Sequence, residues 1–129
     1  MTWSGIGPLA LRLALGLILV VHGWPKFAHL RRTEDDMEVM GFKPGKLWGT
    51  LVALVEFVGG LMLIAGFLTP VVAALVVAEF AVIIVSVKAN EPLVGGYEFE
   101  LLILAAALAL VFIGSGVYGV DQVFNISLY

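Results

Sequence analysis

Three ionisable residues stand inside long apolar stretches of this sequence: Arg12, Glu56 and Glu79. A charge at the centre of a bilayer costs about 2.5 to 3.5 kcal/mol, so such groups usually face the interior of a helix bundle and pair there. Arginine stays protonated and can hold one carboxylate in a bidentate pair. The second carboxylate, desolvated and beside a like charge, would favour its protonated form. Glu56 is therefore a candidate catalytic residue, Arg12 a candidate ligand-binding residue and Glu79 a candidate proton group.

The same three residues also allow a purely structural interpretation. Each lies near the middle of its apolar stretch, so we expect all three at a similar depth and predict a direct contact between Arg12 and Glu56. In the structural alternative this pair is a salt bridge that only fixes the helices, and Glu79 is a neutral, hydrogen-bonded acid. The residue types leave both interpretations open.

A second set of polar residues is expected together at one end of the apolar stretches: His22, Lys26, Lys88, Glu98 and Glu100. At 100° per residue, His22 and Lys26 follow Arg12 along one side of a helix. Glu98 and Glu100 are about 200° apart on a helix, so only one of them can face the bundle. The lysines could instead simply extend to the interface. We take His22, Lys26 and Glu98 as further candidate ligand-binding residues.

The elements that position these residues are apolar segments long enough to cross a membrane, which takes about 20 residues for a core of about 30 Å. The chain has 129 residues, 61% of them hydrophobic and 13% charged. Four segments qualify, at about residues 6–24, 47–68, 71–87 and 99–120. They predict an all-α integral membrane four-helix bundle that forms a single membrane domain over residues 1–129. The second and third spans, joined by Thr69-Pro70 alone, should form a hairpin, and residues 114–119 could unwind.

The loops carry the charges that predict an orientation. In the first loop a short interfacial helix is predicted to start at Thr33 and to end at Gly41. Of the seven Lys and Arg residues, six belong to the first and third loops and one, Arg12, lies within a span. The positive-inside rule therefore places these loops in the cytoplasm and both termini outside. The chain is predicted to be a multi-pass protein of the plasma membrane.

Several kinds of chemistry are excluded by composition. The chain has no cysteine, which rules out disulfides, thiolate metal sites and thiol redox chemistry. The two histidines, His22 and His29, lie on one segment near one interface and do not suit a haem held by two histidines. No zinc signature or nucleotide-binding glycine loop is present, and we predict no metal site. A net charge of -3 gives no basic field for nucleic acid.

Short motifs follow one another along the chain: Arg12-x3-Gly16, His22-Gly23-x2-Lys26, Gly41-Phe42-x-Pro44, Glu56-x2-Gly59-Gly60-x5-Gly66-x2-Thr69, Gly96-Tyr97-Glu98-x-Glu100 and Gly114-Ser-Gly116-x4-Asp121. In order and spacing they resemble the DoxX family over nearly the whole chain. The resemblance implies a four-helix membrane bundle. The founding member of that family is a small membrane subunit of a thiosulfate:quinone oxidoreductase, and other members are linked to quinone-like compounds or to thiol and radical stress. Glu79 departs from the family, in which an apolar residue is expected at this position.

Two functions of different classes follow. The first is a membrane subunit of a quinone-linked oxidoreductase, which binds quinone or a similar small apolar molecule between the first, second and fourth helices. It would take electrons from a partner protein, and whether the chain is itself catalytic stays open. The alternative is a non-catalytic scaffold or assembly factor that recruits a partner. A small-solute transporter is a third and weaker option, because four helices would need a dimer. The predicted partners are the lipid bilayer and a redox protein or a second copy of the chain.

Overall fold

The computed structural model describes residues 3–125, and its elements are helices. In chain order they are α1 (Trp3–Ala28), α2 (Leu30–Val39), α3 (Gly45–Ala65), α4 (Thr69–Val82), α5 (Glu98–Ile113) and α6 (Val120–Val123). Four stretches are long and apolar enough to cross a membrane: Ser4–Ala28, Gly45–Ala65, Thr69–Val87 and Leu93–Ile113. The described part of the chain contains no strand. The predicted all-α membrane bundle is confirmed.

Most large apolar side chains of the bundle face outward. Leu17, Leu75, Leu102 and Phe112, for example, are all more than half exposed. A soluble protein seldom exposes so much contiguous apolar surface, whereas a bilayer accepts it without cost. The buried core is narrow by comparison, and its apolar members come from all four spans: Leu15, Leu19, Leu63, Val72, Ala73, Val76, Phe80, Ile103, Ala107 and Leu110.

Helices α1 and α3 pack against each other through their glycines. A Cβ atom added at Gly16 would lie 2.7 Å from the carbonyl oxygen of Gly60, and one added at Gly23 would lie 2.5 Å from the backbone nitrogen of Phe57. Small residues at these positions let two helix backbones touch, which is the usual basis of tight packing in membranes. This contact places the end of α1 that leads into the first loop directly against the middle of α3. We call the end of the bundle at the first and third loops the loop side.

The hairpin between α3 and α4 turns earlier than predicted. Helix α3 ends at Ala65, and the chain turns through Gly66 and Leu68, whose φ angles are 75° and 50°. Thr69 and Pro70 are therefore not the connection but the first turn of α4, where a proline fits because its missing N–H has no intrahelical partner. The predicted connection was wrong because residues 66–68 read as a continuation of the apolar run.

The predicted start of the interfacial helix was also wrong. Helix α1 runs past Pro25 to Ala28, and α2 begins after one intervening residue, at Leu30. Thr33 is thus inside α2, and its hydroxyl group donates to the carbonyl oxygens of Lys26 at 3.0 Å and His29 at 3.3 Å. The hydroxyl joins α2 to the end of α1 instead of capping α2.

The last two spans depart from regular helix where they end. Helix α4 continues past Val82 as one wider turn, Ile83–Val87, in which the Lys88 N–H donates to the Ile83 carbonyl at 2.9 Å. Helix α5 ends at Ile113, so the fourth span is shorter at this end than predicted. Residues 114–119 unwind, beginning at Gly114 with a φ of 77° that favours glycine.

Candidate functional site

Lys26 and Glu56 form an ion pair within the bundle. The Lys26 Nζ atom donates to Glu56 Oε2 at 2.6 Å, and the side chain of Glu56 is only 2% exposed. The pair depends on Gly23, since its lack of a Cβ lets α1 approach the backbone of α3 at Glu56. Lys26 follows one turn later on α1 and reaches back to the carboxylate. With 37% of its side chain exposed, Lys26 joins this buried acid to the surface.

Glu79 lies beside this pair and has no partner of its own. Both of its carboxyl oxygens are buried, and neither has a hydrogen-bond partner within the described residues. The charged groups with which it interacts are Glu56 on α3 and, less strongly, Lys26 on α1. We call Lys26, Glu56 and Glu79 the Lys26 cluster. It contains two carboxyl groups and one ammonium group at the centre of a membrane bundle.

A cavity of about 220 Å³ adjoins the Lys26 cluster. Its polar lining consists of His22, Lys26, Glu56 and Glu100, and the remaining lining is apolar: Ile18, Leu19, Phe80, Ile83, Phe99 and Ile103. All four spans therefore contribute, whereas the sequence predicted a site between the first, second and fourth. His22 and Phe99 are exposed, and their rings are in contact at a tilt of 31° with their centroids 5.4 Å apart, so they form a rim between α1 and α5. The cavity combines apolar walls with a charged floor.

At the loop side, Glu100 rather than Glu98 faces the cavity. Lys88 approaches Glu100 Oε1 at 3.3 Å and Glu91 Oε2 at 3.5 Å. The hydrogen bond to Glu100 is the largest cause of a raised pKa for Lys88. Glu98 is exposed, and its Oε1 accepts the backbone N–H of Gly95 at 3.1 Å in the turn that precedes α5.

Arg12 lies in a different part of the bundle, and its predicted contact with Glu56 is wrong. Its Nε atom donates to the carbonyl oxygen of Ser115 at 2.9 Å. Its Nη1 atom donates to the carbonyl oxygens of Leu63 at 3.1 Å and Ile64 at 3.0 Å. These residues are seven and eight positions beyond Glu56 on the same helix, about 10 Å along its axis. Arg12 interacts electrostatically with Asp121.

Asp121 completes a second polar cluster around Arg12. Its Oδ1 atom accepts the Leu68 N–H at 2.6 Å and its Oδ2 atom accepts the Thr69 N–H at 2.9 Å, so it caps the start of α4. We call Arg12, Ser115 and Asp121 the Arg12 cluster. All three residues are buried. The cluster ties α1, the α3–α4 turn and the segment after α5 together at the end of the bundle opposite the loops.

The structure thus brings together only part of the predicted set. His22, Lys26 and Glu56 line one cavity, Glu79 lies beside it, and Arg12 and Glu98 are elsewhere. Glu100 and Asp121 were not assigned roles from the sequence. Because Glu98 and Glu100 are about 200° apart on a helix, only one of them could face the bundle. The structure shows that this is Glu100, since the side of α5 that carries Glu100 packs against the other spans. For Asp121 no signal in the sequence pointed to the backbone of a turn more than fifty residues away.

These observations define the class of the protein. It is a helical membrane bundle with a charged cavity between its four spans. The family model described as DoxX matches residues 7–89 of the chain. The chain belongs to the DoxX family.

Two named relatives resemble the chain over nearly all of its length. It is 30% identical over 116 residues to the protein named "Putative oxidoreductase CatD" of Bacillus subtilis (strain 168), a match that covers 90% of this chain and 85% of the relative. It is 32% identical over 124 residues to the "Inner membrane protein YqjF" of Escherichia coli (strain K12), with 93% of each chain covered. No solved structure matches the chain significantly.

Proposed function

We propose that this protein is the membrane subunit of a quinone-linked oxidoreductase and that it holds the quinone head group in the cavity above the Lys26–Glu56 pair. The observation that carries this proposal is the cavity itself, with apolar and aromatic walls from four spans and a charged floor. A binding site for an amphipathic ring needs that combination, because the walls bind the ring and a few polar groups orient it. The name of the Bacillus subtilis relative, an oxidoreductase, agrees with the class.

The lining residues fit such a ring in size and in chemistry. A volume of about 220 Å³ takes a single ring system rather than a long isoprenoid tail, which would leave through the rim into lipid. Phe80 and Phe99 offer aromatic surface to a planar ring. Lys26 presents an ammonium group, which can donate a hydrogen bond to a ring carbonyl oxygen.

His22 is suited to a role that depends on its protonation state. Its Nδ1 atom lies 3.0 Å from the carbonyl oxygen of Ile18. Because a carbonyl oxygen only accepts hydrogen bonds, Nδ1 carries the proton, and a neutral His22 offers only a lone pair at Nε2. His22 therefore donates from Nε2 to a ring oxygen only as the imidazolium. In this proposal Glu56 holds Lys26 in position and receives and returns protons as the ring oxygens gain them.

Electrons for this chemistry come from a partner. Cysteine is absent from the chain, and the described residues contain no group of His, Cys, Asp and Glu that could hold a metal ion. We propose that a redox protein delivers two electrons from the loop side, where the cavity rim and the charged α2 helix lie. Quinone becomes quinol when these electrons arrive together with two protons at its ring oxygens. The chain's own part is to bind the ring and to supply protons.

Binding of a short-tailed benzoquinone to the purified protein in detergent tests the proposal. Ile18→Trp fills the cavity from α1, and we expect it to weaken binding by at least about tenfold, because the ring loses its space. Leu17→Trp is the matched control, since Leu17 is the preceding residue and 58% exposed to lipid. Isothermal titration calorimetry with the quinone measures the affinity of both variants, and its signal does not depend on the added tryptophans. Equal affinities for the two variants, or no binding by the unaltered protein, would remove the quinone site and leave the scaffold alternative.

Kinetics with a redox partner would separate the roles of His22 and Glu56. We expect His22→Ala to raise the apparent KM more than it lowers kcat, because it acts in binding. Glu56→Gln should keep the fold and slow quinone reduction, most clearly where proton uptake limits the rate. If Glu56 were only structural, the remaining activity of Glu56→Gln would follow the amount of folded protein.

We also propose that the loop side faces the cytoplasm and that the protein lies in the plasma membrane. The support is the six loop-side Lys and Arg residues against none at the termini. A cysteine at Arg32, which is exposed on α2, should react only with reagents that enter the cytoplasm, and a cysteine at Ser4 only from outside. Ser127, another natural choice on the terminal side, lies outside the described residues. The reverse labelling pattern would overturn the orientation while leaving the spans intact.

A further inference from the structure

The Lys26 cluster contains one more carboxyl group than it has cations. Lys26 is already bound to Glu56 at 2.6 Å, and both oxygens of Glu79 are buried without a partner in the described residues. If both acids were ionised, the cluster would carry a net negative charge at the centre of the bundle. An unpaired charge at that depth is strongly unfavourable, because neither lipid nor water solvates it there.

A single proton on Glu79 removes this imbalance. The cluster is then neutral, and the Glu79 hydroxyl becomes a donor for which the neighbouring Glu56 carboxylate is an acceptor. Among the described residues, the charged groups that act on Glu79 are Glu56 and Lys26. His22 lies at the exposed rim, where it bonds to the carbonyl of Ile18, and Glu100 on α5 is bonded to Lys88.

The three groups also form a connected series from the protein surface to the middle of the third span, Thr69–Val87. Lys26 has a partly exposed side chain at the loop side, Glu56 is next, and Glu79 is last. Lys26 and Glu56 line the cavity, whereas Glu79 is not part of its lining. A proton that leaves Glu79 therefore reaches either the cavity or the surface through Glu56.

We propose that Glu79 is a protonated acid at rest and that it serves as an internal proton store, exchanging its proton with loop-side water through Glu56 and Lys26. When Lys26 has released a proton, the Glu79 proton passes to Glu56 and on to the lysine, and water restores Glu79 by the reverse path. Its use in protonating a quinone rests on the function proposed above, whereas the store itself does not.

Infrared spectroscopy of the reconstituted protein, without any quinone, tests this proposal. The unaltered protein should show the carbonyl band of a buried carboxylic acid, and Glu79→Gln should lack it. On transfer to D2O this band should shift as the proton exchanges. Lys26→Met should slow the exchange by roughly tenfold or more, because the relay loses the group that contacts water.

Lys88→Met is the matched control, since Lys88 also binds a half-buried glutamate at the loop side but does not contact Glu79. It should leave the exchange rate unchanged. If Lys26→Met does not fold, Lys26→Gln replaces it. The proposal is overturned if no band depends on Glu79, because the acid is then ionised. It is equally overturned if the exchange rate is the same with and without Lys26. Failure of quinone binding would change neither result, so the two proposals fail separately.

Discussion

The two polar clusters of this bundle contain similar residues and differ in how they are satisfied. In the Arg12 cluster, the guanidinium makes three hydrogen bonds to backbone carbonyls and both oxygens of Asp121 accept backbone N–H groups, while Arg12 Nη2 is buried without a partner in the described residues. In the Lys26 cluster, the hydrogen bonds join side chains, a cavity adjoins the ion pair, and both oxygens of Glu79 lack a partner among residues 3–125. The Arg12 cluster is hydrogen-bonded mainly to the backbone, whereas the Lys26 cluster is held by a contact between its own side chains.

This difference separates a structural role from a functional one. The fold fixes the positions of backbone groups, so charges bonded to them are also fixed, and losing such a charge leaves its buried partners unpaired. Side-chain pairs beside a cavity can exchange partners and protons when a ligand enters, and ionisable groups gathered at a cavity are typical of functional sites. We therefore expect the Arg12 cluster to determine stability and the Lys26 cluster to determine activity.

The largest expected effect is the loss of Arg12. Arg12→Ala should lower the free energy of unfolding by about 3 to 5 kcal/mol, because three carbonyl partners and Asp121 lose a buried cation. Unfolding of the detergent-solubilised protein measures the change. Arg31→Ala, at an exposed position on α2, is the control and should change stability by less than about 0.5 kcal/mol. Comparable losses for both variants would contradict a structural role for the Arg12 cluster.

A smaller loss is expected when α1 is separated from α3 at the Lys26 cluster. Gly23→Ala places a Cβ atom 2.5 Å from the backbone nitrogen of Phe57, where the backbone has to move. We expect a loss of about 1 to 3 kcal/mol, the usual cost of overpacking, together with weaker quinone binding. Gly7→Ala on the same helix is the control, because nothing lies within 4 Å of its added Cβ. A Gly23→Ala protein that binds quinone normally would show that the cavity does not need this helix contact.

A double-mutant cycle distinguishes the observed pairing from the one that the sequence predicted. Lys26→Met and Glu56→Gln should couple by about 0.5 to 3 kcal/mol, since they form one ion pair. Arg12→Ala and Glu56→Gln should be additive to within about 0.5 kcal/mol, because the two residues have no common partner. Unfolding free energies of the single and double variants provide both values. A coupling energy between Arg12 and Glu56 larger than about 0.5 kcal/mol would contradict the structure and support the direct contact predicted from the sequence.

The smallest expected effect is at the loop side and depends on pH. The pKa of Lys88 is raised, mainly by its hydrogen bond to Glu100, so this contact stabilises the folded protein below the unfolded pKa of a lysine. The contribution is lost as the pH rises through the raised pKa. Lys88→Gln should therefore differ slightly from the unaltered protein near neutral pH, and the difference should disappear as the pH rises through the raised pKa of Lys88. A difference that persists in strong alkali would point to packing of the lysine side chain.

Composition and hydropathy were sufficient to predict the bundle. Each span inserts because its apolar residues outweigh a single charge, a property that is local to the segment and readable from the chain. The glycine motifs along α1 and α3 also appear in the sequence, although their contact partners do not. The errors at element ends come from contacts that hydropathy does not show. Thr69 begins α4 with its N–H bonded to the distant Asp121, and Thr33 lies inside α2 with its hydroxyl bonded to the end of α1.

The pairing of the charges was decided only by the tertiary structure. Depth estimated from residue number placed Arg12 beside Glu56, but the stagger of α1 against α3 is set by where their glycines meet. That stagger moves Arg12 to the end of α3 and brings Lys26 to Glu56. A lysine side chain several carbons long can reach from the loop side to the middle of the bundle, and residue numbers do not show that reach. Which acid meets which cation therefore depends on the packing of the helices and not on their separate hydropathies.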